Sequence, residues 1–440
     1  MHQLTKAITL LVVFVTGFHS GLAQAGNVKS WVEQEITLLI PLYEHLHSHP
    51  EVSNQEVKTA ARIASELKSA GFEVTTNIGG HGVVGILKNG SGPVVMFRTD
   101  LDALPVTEET GLPYASSVKI ESTEGVATGV MHACGHDLHM TNFIGLARIL
   151  AKHRDEWSGT ALLIGQPAEE VVSGARQMLE DGLFTRFPKP HFALAVHCDP
   201  GLQSGVIGYR SGFIMANTDS CTITMRGRGG HGAVPEICID PIVQASQLIL
   251  DLQTIISREI SPLESAVITV GAIHGGTKNN IIPNECKLLL TIRSYSPQVR
   301  QHLHEAIQRK AKAVAMSFQA PEPIIELKEG VSATYNDADL IQRVLPALGE
   351  ALGDENLVPA GQSMVAEDFS LYGRANVPLF MYRLGTVSPE KLAASIHEGT
   401  LLPSLHSSTY APDVRPALQA GLTASTAAML SLMPKTAVSN

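Results

Sequence analysis

The sequence predicts an α/β protein in which a small α+β domain is inserted into a larger domain. Strand-like apolar runs alternate with helical patterns up to about residue 212, which is typical of layered α/β folds. Beyond that point the pattern changes to a β-α-β-β-α order, which is ferredoxin-like. The chain has 440 residues, which is long for a single hydrophobic core, so two domains are expected.

The elements of the larger domain come first in the chain. Residues 30–70 predict two helices, and the second, from about Asn54 to Ala70, has apolar residues at helical spacing. Apolar runs such as "VVMF" and "ALLIG" are typical of buried strands. A further helix is expected from Asp137 to about Lys152, with its apolar residues on one face.

The inserted domain is expected over residues 212–323. It contains two predicted helices, about Pro241 to Arg258 and about Pro297 to Phe318, and strand-like runs such as "SAVITVGAI". After it the chain returns to helices and strands of the larger domain. We therefore assign residues 26–211 and 324–440 to one domain that the insertion interrupts.

The first 25 residues have the pattern of a signal peptide. Lys6 precedes an apolar stretch from Ala7 to Phe18, and the small-x-small cleavage signal Ala23-Gln24-Ala25 follows. The stretch is too short to remain as a membrane span. A buried N-terminal helix is the alternative, but it does not account for the cleavage signal. We expect export to the periplasm or the medium, with cleavage near Ala25 and no stable membrane span.

The composition favours a globular enzyme over a nucleic-acid-binding protein. Hydrophobic residues make up 44% of the chain and charged residues 17%, and the formal net charge is -10. No long basic run is present, so an electrostatic grip on nucleic acid is not expected. Five cysteines are an odd number, which leaves at least one thiol without an intramolecular partner.

The stretch "MHACGHDLHM" at residues 131–140 combines one cysteine with three histidines. Cys134 and His136 flank Gly135 just before a predicted helix, and side chains at i and i+2 in a loop can converge on one point. A thiolate and a neutral imidazole are good ligands for a borderline cation such as zinc. Two alternatives are a buried thiol near hydrogen-bonded histidines and a cysteine nucleophile paired with a histidine.

Other polar side chains follow strand-like segments or lie in loops. Ligands of open α/β sheets bind at the carboxyl ends of the strands. Glu169 and Glu170 in "GQPAEE" come directly after an apolar strand. In such a pair, one carboxylate can neutralise the charge of a metal ion while the other takes and returns a proton. The alternative interpretation is a solvated acidic turn. The remaining candidates are Asp100, Asp102, His197 and His406.

Together these motifs resemble the aminoacylase and hippurate-hydrolase group of two-metal peptidases, which includes indole-acetyl-amino-acid hydrolases. The similarity covers roughly residues 40–415. It rests on a set of motifs that are specific in combination: "LHSHPEVSNQEVKTAARIASEL", "FRTDLDALPV", "MHACGHDLHM", "GQPAEE", "RGRGGHGAVP", "GAIHGGTKNNIIPNE", "TIRSY", "AEDFS" and "LHSS".

The resemblance implies a fold and a metal centre. The fold would be a phosphorylase/hydrolase-like catalytic domain with a mixed sheet flanked by helices, and a ferredoxin-like lid and dimerisation domain. Two divalent metal ions per subunit are implied, manganese or zinc, with nickel or cobalt as further candidates. Cys134 would bridge the ions, Glu170 and His406 would complete one site, and His136 and His197 the other.

The resemblance also implies catalytic and substrate-binding roles. Glu169 would be the general base that generates a metal-bridging hydroxide and then protonates the leaving amine. His231 would stabilise the oxyanion, reaching across a dimer from the inserted domain. Asn280 and Arg293 would hold the substrate's amide region and free carboxylate. Without the resemblance, Arg293 would be interpreted as a charge on a strand surface.

The implied activity is cleavage of the amide bond of N-acyl amino acids, such as N-acetyl or N-benzoyl derivatives, by a homodimer formed through the inserted domain. The alternative is a dipeptidase or carboxypeptidase with the same metals. Three residues depart from the group's pattern: Leu290 and Val365 replace glycine, and Glu236 replaces histidine. They leave the metal set intact and alter the surroundings of the pocket, on which substrate preference depends.

Overall fold

The computed structural model describes residues 27–121, 125 and 127–435, so the predicted signal peptide lies outside the described residues. The chain divides into two compact units. Of the described residues, the first unit comprises those up to Gly212, Tyr335–Gly361 and those from Leu371 onward, and the second comprises Phe213–Thr334 and Gln362–Ser370. Among the described residues, no helix is both long enough and apolar enough to cross a membrane.

Helices and strands alternate along much of the chain. The helices are α1 (residues 27–48), α2 (Val57–Ser69), α3 (His136–Lys152), α4 (Gly174–Glu180), α5 (Leu183–Arg186), α6 (Pro241–Thr254), α7 (Pro297–Ser317), α8 (Ala338–Leu352), α9 (Ser370–Arg374), α10 (Pro389–Glu398) and α11 (Val414–Leu432). The strands are β1 (Glu73–Ile78), β2 (Gly82–Asn89), β3 (Val94–Asp100), β4 (Lys119–Glu121), β5 (Ala127–Gly129), β6 (Gly159–Gln166), β7 (Phe192–Gln203), β8 (Ile207–Tyr209), β9 (Gly212–Met215), β10 (Asp219–Arg226), β11 (Gly230–His231), β12 (Ala266–Gly275), β13 (Ile281–Ile282), β14 (Glu285–Ser294), β15 (Ile324–Glu329), β16 (Thr334–Asn336), β17 (Leu357–Pro359) and β18 (Leu379–Val387).

The first unit is built on an eight-stranded mixed sheet in the order β1-β2-β6-β3-β7-β18-β8-β17. The four central strands β6, β3, β7 and β18 are parallel neighbours, and β1 and β2 extend the sheet with antiparallel pairing. All nine residues of β18 are buried, as expected for a central strand covered on both faces. The predicted α/β architecture with a mixed sheet and flanking helices is confirmed.

Helices α3 and α11 pack against the large sheet and shield its apolar strands from water. The residues of α3 that the sequence places on one face are buried, among them Phe143, Leu146 and Leu150 at 0% exposure. Helix α3 packs against both β3 and α11, so its N-terminus lies beside the carboxyl end of β3. This packing brings the "CGHD" segment to the edge of the sheet where the parallel strands end.

The second unit contains a four-stranded antiparallel sheet in the order β12-β14-β10-β15. Its main elements follow the order β10-α6-β12-β14-α7-β15, which is the split β-α-β arrangement. Apolar residues of α6 and α7 form one buried cluster with the inner face of β14, whose residues alternate between exposed and buried. Asp240 and Ser296, the residues that precede α6 and α7, cap the first turns of these helices with their side chains.

The limits of two elements differ from those expected. The insertion was expected to end at residue 323, but β15 pairs with β10 within the sheet of the second unit. Helix α6 ends at Thr254 and continues as a single π-helical turn, Ile255–Glu259, rather than as α-helix to Arg258. The first difference arises from a tertiary contact, since β15 is an edge strand whose partner lies about a hundred residues earlier.

Candidate metal centre

The candidate ligands lie at one edge of the large sheet, in the first unit. Strands β6, β3 and β7 are parallel neighbours, so their carboxyl ends meet at the same edge. Asp100 is the last residue of β3, Glu169 and Glu170 follow β6, and His197 lies in β7. The fold therefore brings together side chains that are up to about a hundred residues apart.

His136 has one ring nitrogen fixed and the other without a hydrogen-bond partner. Its Nδ1 donates to the backbone oxygen of Asp102 at 2.8 Å, so in the neutral ring Nε2 carries the lone pair. This Nε2 is buried without a hydrogen-bond partner, 3.6 Å from Asp100 Oδ2 and 3.8 Å from Glu169 Oε2 and Glu170 Oε1. Burial lowers the pKa of His136, but the surrounding carboxylates, above all Asp100, raise it to about 10.

Glu170 faces two histidines. Its Oε1 is buried and has no hydrogen-bond partner, and its Oε2 lies 3.5 Å from Nε2 of His406. Burial, with the nearby charges of Asp102 and Asp100, raises the pKa of Glu170 to about 7. The ligand atoms of Cys134, Glu170 and His406 all lie within 4.8 Å of one another.

Cys134 and His197 complete the cluster. Cys134 Sγ lies 3.8 Å from His197 Nε2. Nδ1 of His197 donates to the backbone oxygen of Cys198 at 2.8 Å, which turns the lone pair of a neutral ring toward the thiol. Burial, with the charges of Glu170 and Glu169, raises the pKa of the Cys134 thiol. All five cysteines lie in the described chain and are free.

The cluster has the composition of a site for divalent cations. Two atoms of the kind that bind metals, His136 Nε2 and Glu170 Oε1, are buried without hydrogen-bond partners, which costs free energy unless something binds them. Several carboxylates crowd around them: Asp100, which also pairs with the buried Arg98, and Glu169 and Glu170, which lie near His136 Nε2. Thiolate, imidazole and carboxylate together suit zinc and other first-row ions, so these residues fit the metal centre that the sequence predicts.

Glu169 and Glu170 are carried on a tightly closed turn. Ala168 and Val172, on either side of the pair, have left-handed backbone conformations with φ of 52° and 48°. The Val172 amide donates to the oxygen of Glu169 at 2.6 Å. A Cβ on Gly174 would lie 1.6 Å from the Pro167 oxygen, so position 174 accepts only glycine. The turn therefore sets the direction of the two carboxylates.

The other histidines of "MHACGHDLHM" differ from His136. Nδ1 of His139 lies 2.8 Å from Asp100 Oδ1, and its Nε2 accepts the Cys198 N–H at 2.9 Å. Both nitrogens of His139 thus have hydrogen-bond partners, and its contact with Asp100 positions that carboxylate. Neither nitrogen of the buried His132 has a hydrogen-bond partner, and burial lowers the pKa of His132 to about 4.

Sequence reasoning missed three residues that support the cluster. Arg98 is buried within β3, and its Nη1 donates to Asp100 Oδ2 at 2.7 Å. Ser53 and Glu56, which lie in the turn before α2, contact Asp102 and the Ala168 amide. An arginine inside an otherwise apolar strand was the available signal for Arg98. Nothing local marks Ser53 or Glu56.

The residues predicted to bind substrate lie in the second unit. His231 is exposed in β11, and its Nδ1 accepts the Ala233 amide at 3.0 Å. Asn280 is next to it, because its backbone oxygen accepts the Gly232 amide at 2.9 Å. Arg293 is half-buried on β14, and burial lowers the pKa of its guanidinium.

The three residues that depart from the family pattern are also in the second unit. Leu290 is buried in the sheet, whereas Glu236 and Val365 are exposed. Leu290 thus contributes to the core of this unit, and the other two lie on its surface.

The chain is similar to known proteins over most of its length. Residues 96–410 match the family described as "Peptidase family M20/M25/M40". N-acetylcysteine deacetylase of Bacillus subtilis is 36% identical over 357 residues, 81% of this chain and 90% of the relative. Hippurate hydrolase of Campylobacter jejuni is 37% identical over 331 residues, 74% of this chain and 82% of the relative. A solved structure of a Bacillus subtilis protein, described as a dinuclear metal binding peptidase from the M20 family, is 31% identical with a TM-score of 0.73 and covers 90% of this chain and 98% of that chain.

Proposed function

Because the chain belongs to peptidase family M20/M25/M40, we propose that it is a metal-dependent amidohydrolase that cleaves N-acyl amino acids to a carboxylate and a free amino acid. The membership confirms the resemblance on which the sequence prediction rests. Relatives that the chain matches over most of its length are named for the removal of acetyl or benzoyl groups from amino acids. These names support N-acetyl and N-benzoyl amino acids as the substrate class.

The observation that carries the proposal is the arrangement around His136. Its Nε2 and Glu170 Oε1 are buried, lack hydrogen-bond partners and lie 3.8 Å apart. Glu169 Oε2 lies at the same distance from that nitrogen, so a second carboxylate lies beside the proposed ligands. The residues that would hold two divalent ions, manganese or zinc, are Cys134, His136, Glu170, His197 and His406.

Glu169 is the proposed general base. A bound pair of divalent ions would polarise the amide carbonyl and make water more acidic. Glu169 is 5% exposed, which shields it from bulk water while leaving its carboxylate at the edge of the cluster. It takes the proton from the attacking water and returns it to the nitrogen of the leaving amino acid.

Three residues of the second unit have proposed roles in substrate binding and in the transition state. Arg293 pairs with the free carboxylate of the substrate, because its planar guanidinium can bind a carboxylate through two hydrogen bonds. Asn280 binds the amide region, and His231 stabilises the oxyanion. We propose that the second unit is a lid and the contact of a homodimer, across which His231 acts.

Export is a further part of the proposal. The charged residue, the apolar stretch and the Ala23-Gln24-Ala25 sequence of a signal peptide support it. Cleavage near Ala25 would leave the mature enzyme in the periplasm or the medium. N-terminal sequencing of the protein recovered from outside the cytoplasm checks the cleavage site.

A substrate screen tests the proposed activity. The purified protein is assayed on N-acetyl amino acids, N-benzoyl amino acids and dipeptides, with metal content measured on the same sample. We expect hydrolysis of N-acyl amino acids, loss of activity on dialysis against a strong chelator, and recovery with added manganese or zinc. Preference for dipeptides would favour the dipeptidase alternative, and full activity without metal would contradict the proposal.

A further inference from the structure

The turn between α1 and α2 contacts both sides of the catalytic carboxylate pair. We call residues 50–56 the α1–α2 turn. Glu56 Oε1 accepts the Ala168 amide at 2.8 Å. Ser53 Oγ donates to Asp102 Oδ2 at 2.6 Å, and the same oxygen accepts the Glu170 amide at 3.0 Å. The two amides that flank Glu169 are therefore held, directly or through Asp102, from one short segment.

The side chain of Glu56 is not used to cap the helix that it precedes. Glu56 is the residue before α2, yet its side chain makes no cap hydrogen bond. Glu51 caps α2 instead, since its Oε2 accepts the amides of Lys58 and Thr59 at 2.8 Å each. Glu56 is 0% exposed, and its Oε1 accepts the amides of Asn54 and Ala168.

Burying a carboxylate costs free energy unless hydrogen bonds or ion pairs compensate for the lost contact with water. The Oε2 atom of Glu56 has no hydrogen-bond partner, so helix stability alone does not explain the burial of this group. Ala168, whose amide donates to Glu56, has a left-handed backbone conformation with a φ of 52°. An alanine adopts that conformation only when its surroundings impose it.

We propose that Glu56 and Ser53 are positioning residues that lock the turn carrying Glu169 and Glu170 in its catalytic conformation. The inference rests on the proposed function, because it assigns the held turn a role in proton transfer and metal binding. Loss of the Glu56 contact frees the Ala168 amide, and the turn relaxes toward an ordinary backbone conformation. The carboxylate of Glu169 then leaves its place beside His136.

Substitutions at Glu56 distinguish the effect of the position of its accepting oxygen from the effect of its charge. Glu56→Gln keeps the length and the accepting oxygen but removes the charge, whereas Glu56→Asp keeps the charge and shortens the reach. We expect kcat to fall about 10–100-fold in Glu56→Ala and Glu56→Asp, the usual effect of removing a group that supports a metal ligand. Glu56→Gln should stay near wild type, and KM should change little in all three. Ser53→Ala should cause a smaller decrease, because Asp102 still holds the Glu170 amide.

Glu51→Ala is the matched control, because it removes a carboxylate of the same turn whose side chain accepts hydrogen bonds from Lys58 and Thr59 of α2. It should lower the melting temperature and leave kcat unchanged. Two further measurements do not depend on turnover: zinc affinity by competition with a chromogenic chelator, and hydrogen–deuterium exchange of peptides that span residues 167–174. Faster exchange and weaker zinc binding are expected in Glu56→Asp but not in Glu56→Gln or Glu51→Ala.

The outcomes distinguish the inference from the proposed function. If Glu56→Asp keeps wild-type kcat, zinc affinity and exchange, or if Glu56→Gln is as impaired as Glu56→Asp, the inference is overturned. If Glu56→Ala does not fold, the Asp and Gln variants still decide. If the wild type hydrolyses no N-acyl amino acid, the proposed function fails, and exchange and zinc affinity alone decide whether Glu56 holds the turn.

Discussion

Two buried clusters of acidic and basic side chains, one in each unit, differ in how completely their polar atoms are paired. In the second unit, Asp219 accepts hydrogen bonds from Arg300 and from the Gly330 amide, and one of its oxygens lies 2.7 Å from His304 Nε2. Both carboxylate oxygens are thus satisfied. In the first unit, the cluster around His136 leaves Nε2 of that ring and Oε1 of Glu170 without hydrogen-bond partners.

The difference separates a structural cluster from a binding site. The Asp219 cluster ties β10 to α7 and to the residue after β15, and it needs nothing more. The His136 cluster also combines histidine with carboxylates, yet its two unpaired atoms, His136 Nε2 and Glu170 Oε1, lie 3.8 Å apart, which is too long for a hydrogen bond. A buried group left in this state implies a missing partner, and the excess of carboxylates implies that the partner is a cation.

The largest expected effect comes from Glu169→Gln. Loss of the general base should lower kcat by about 10²–10⁴-fold, while the bound metal is retained because the proposed ligands are unchanged. Steady-state kinetics with metal analysis of the same preparation checks both parts. An undiminished kcat in the metal-loaded variant would remove Glu169 from its proposed role.

Substitution of one histidine in each cluster sharpens the comparison. His136→Ala should weaken metal binding by at least about 100-fold, because even groups behind the ligands change affinity 10–100-fold. His304→Ala should leave metal affinity unchanged and lower the thermal stability. Chelator competition and thermal unfolding, measured on both variants, give the result. Equal metal affinities in the two variants would show that the clusters do not differ as described.

Asp219→Ala should destabilise the protein without affecting catalysis. It removes the carboxylate that pairs with the mostly buried Arg300 and leaves only the more distant Glu329 at 3.8 Å among the acidic partners described for it, and breaking a buried ion pair typically costs about 3 kcal/mol or more. Burial alone would raise the pKa of Asp219, but hydrogen bonds from Arg300 and the Gly330 amide hold it below its usual value.

The direction of that pKa shift predicts how the stability changes with pH. Because the folded-state pKa is depressed, the contribution of Asp219 is complete above the unfolded pKa of about 4 and is lost as the pH falls below it. Urea unfolding of wild type and Asp219→Ala at pH 7 and pH 3.5 checks this. The stability difference between them should shrink at the lower pH, and a constant difference would contradict the assigned role.

The smallest effect is expected at Val172, where the turn of the metal centre stores backbone strain. A left-handed conformation costs a β-branched residue roughly 1–2 kcal/mol, and glycine removes that cost while adding about 0.5–1 kcal/mol of chain entropy. Val172→Gly should therefore be about neutral or slightly stabilising. Val171→Gly, at a neighbour without a positive φ, should destabilise by about 0.5–1 kcal/mol. Denaturant unfolding of both variants measures the contrast.

The sequence predicts the residues of the candidate metal centre but not the residues that hold them in position. Cys134, His136, Glu169 and Glu170 lie in short motifs that follow or precede predictable strands and helices, and parallel strands necessarily end at a common edge. The apolar runs of β3, β6 and β7 made that edge predictable. Which donor atoms would be left unpaired could not be predicted, because this depends on rotamers and on the distance between β6 and α3.

Contacts between distant segments account for what the sequence did not predict. Glu56 meets the Ala168 amide across 112 residues, and no local pattern marks either one. Asp219 and Arg300 are separated by 81 residues. Strand β15 is an amphipathic run of six residues, and only its pairing with β10 shows that it belongs to the second unit. Periodicity and turn signals describe neighbours in sequence and contain no information about such pairs.

The closure of the turn at Gly174 has a consequence for attempts to alter substrate preference by directed evolution. A Cβ at that position would collide with the Pro167 oxygen, so a library that randomises residues 167–174 would consist mainly of misfolded or inactive clones. Diversity introduced at Glu236 or Val365, on the surface of the second unit, leaves this turn untouched. The most productive libraries should therefore hold the turn constant and vary the other unit.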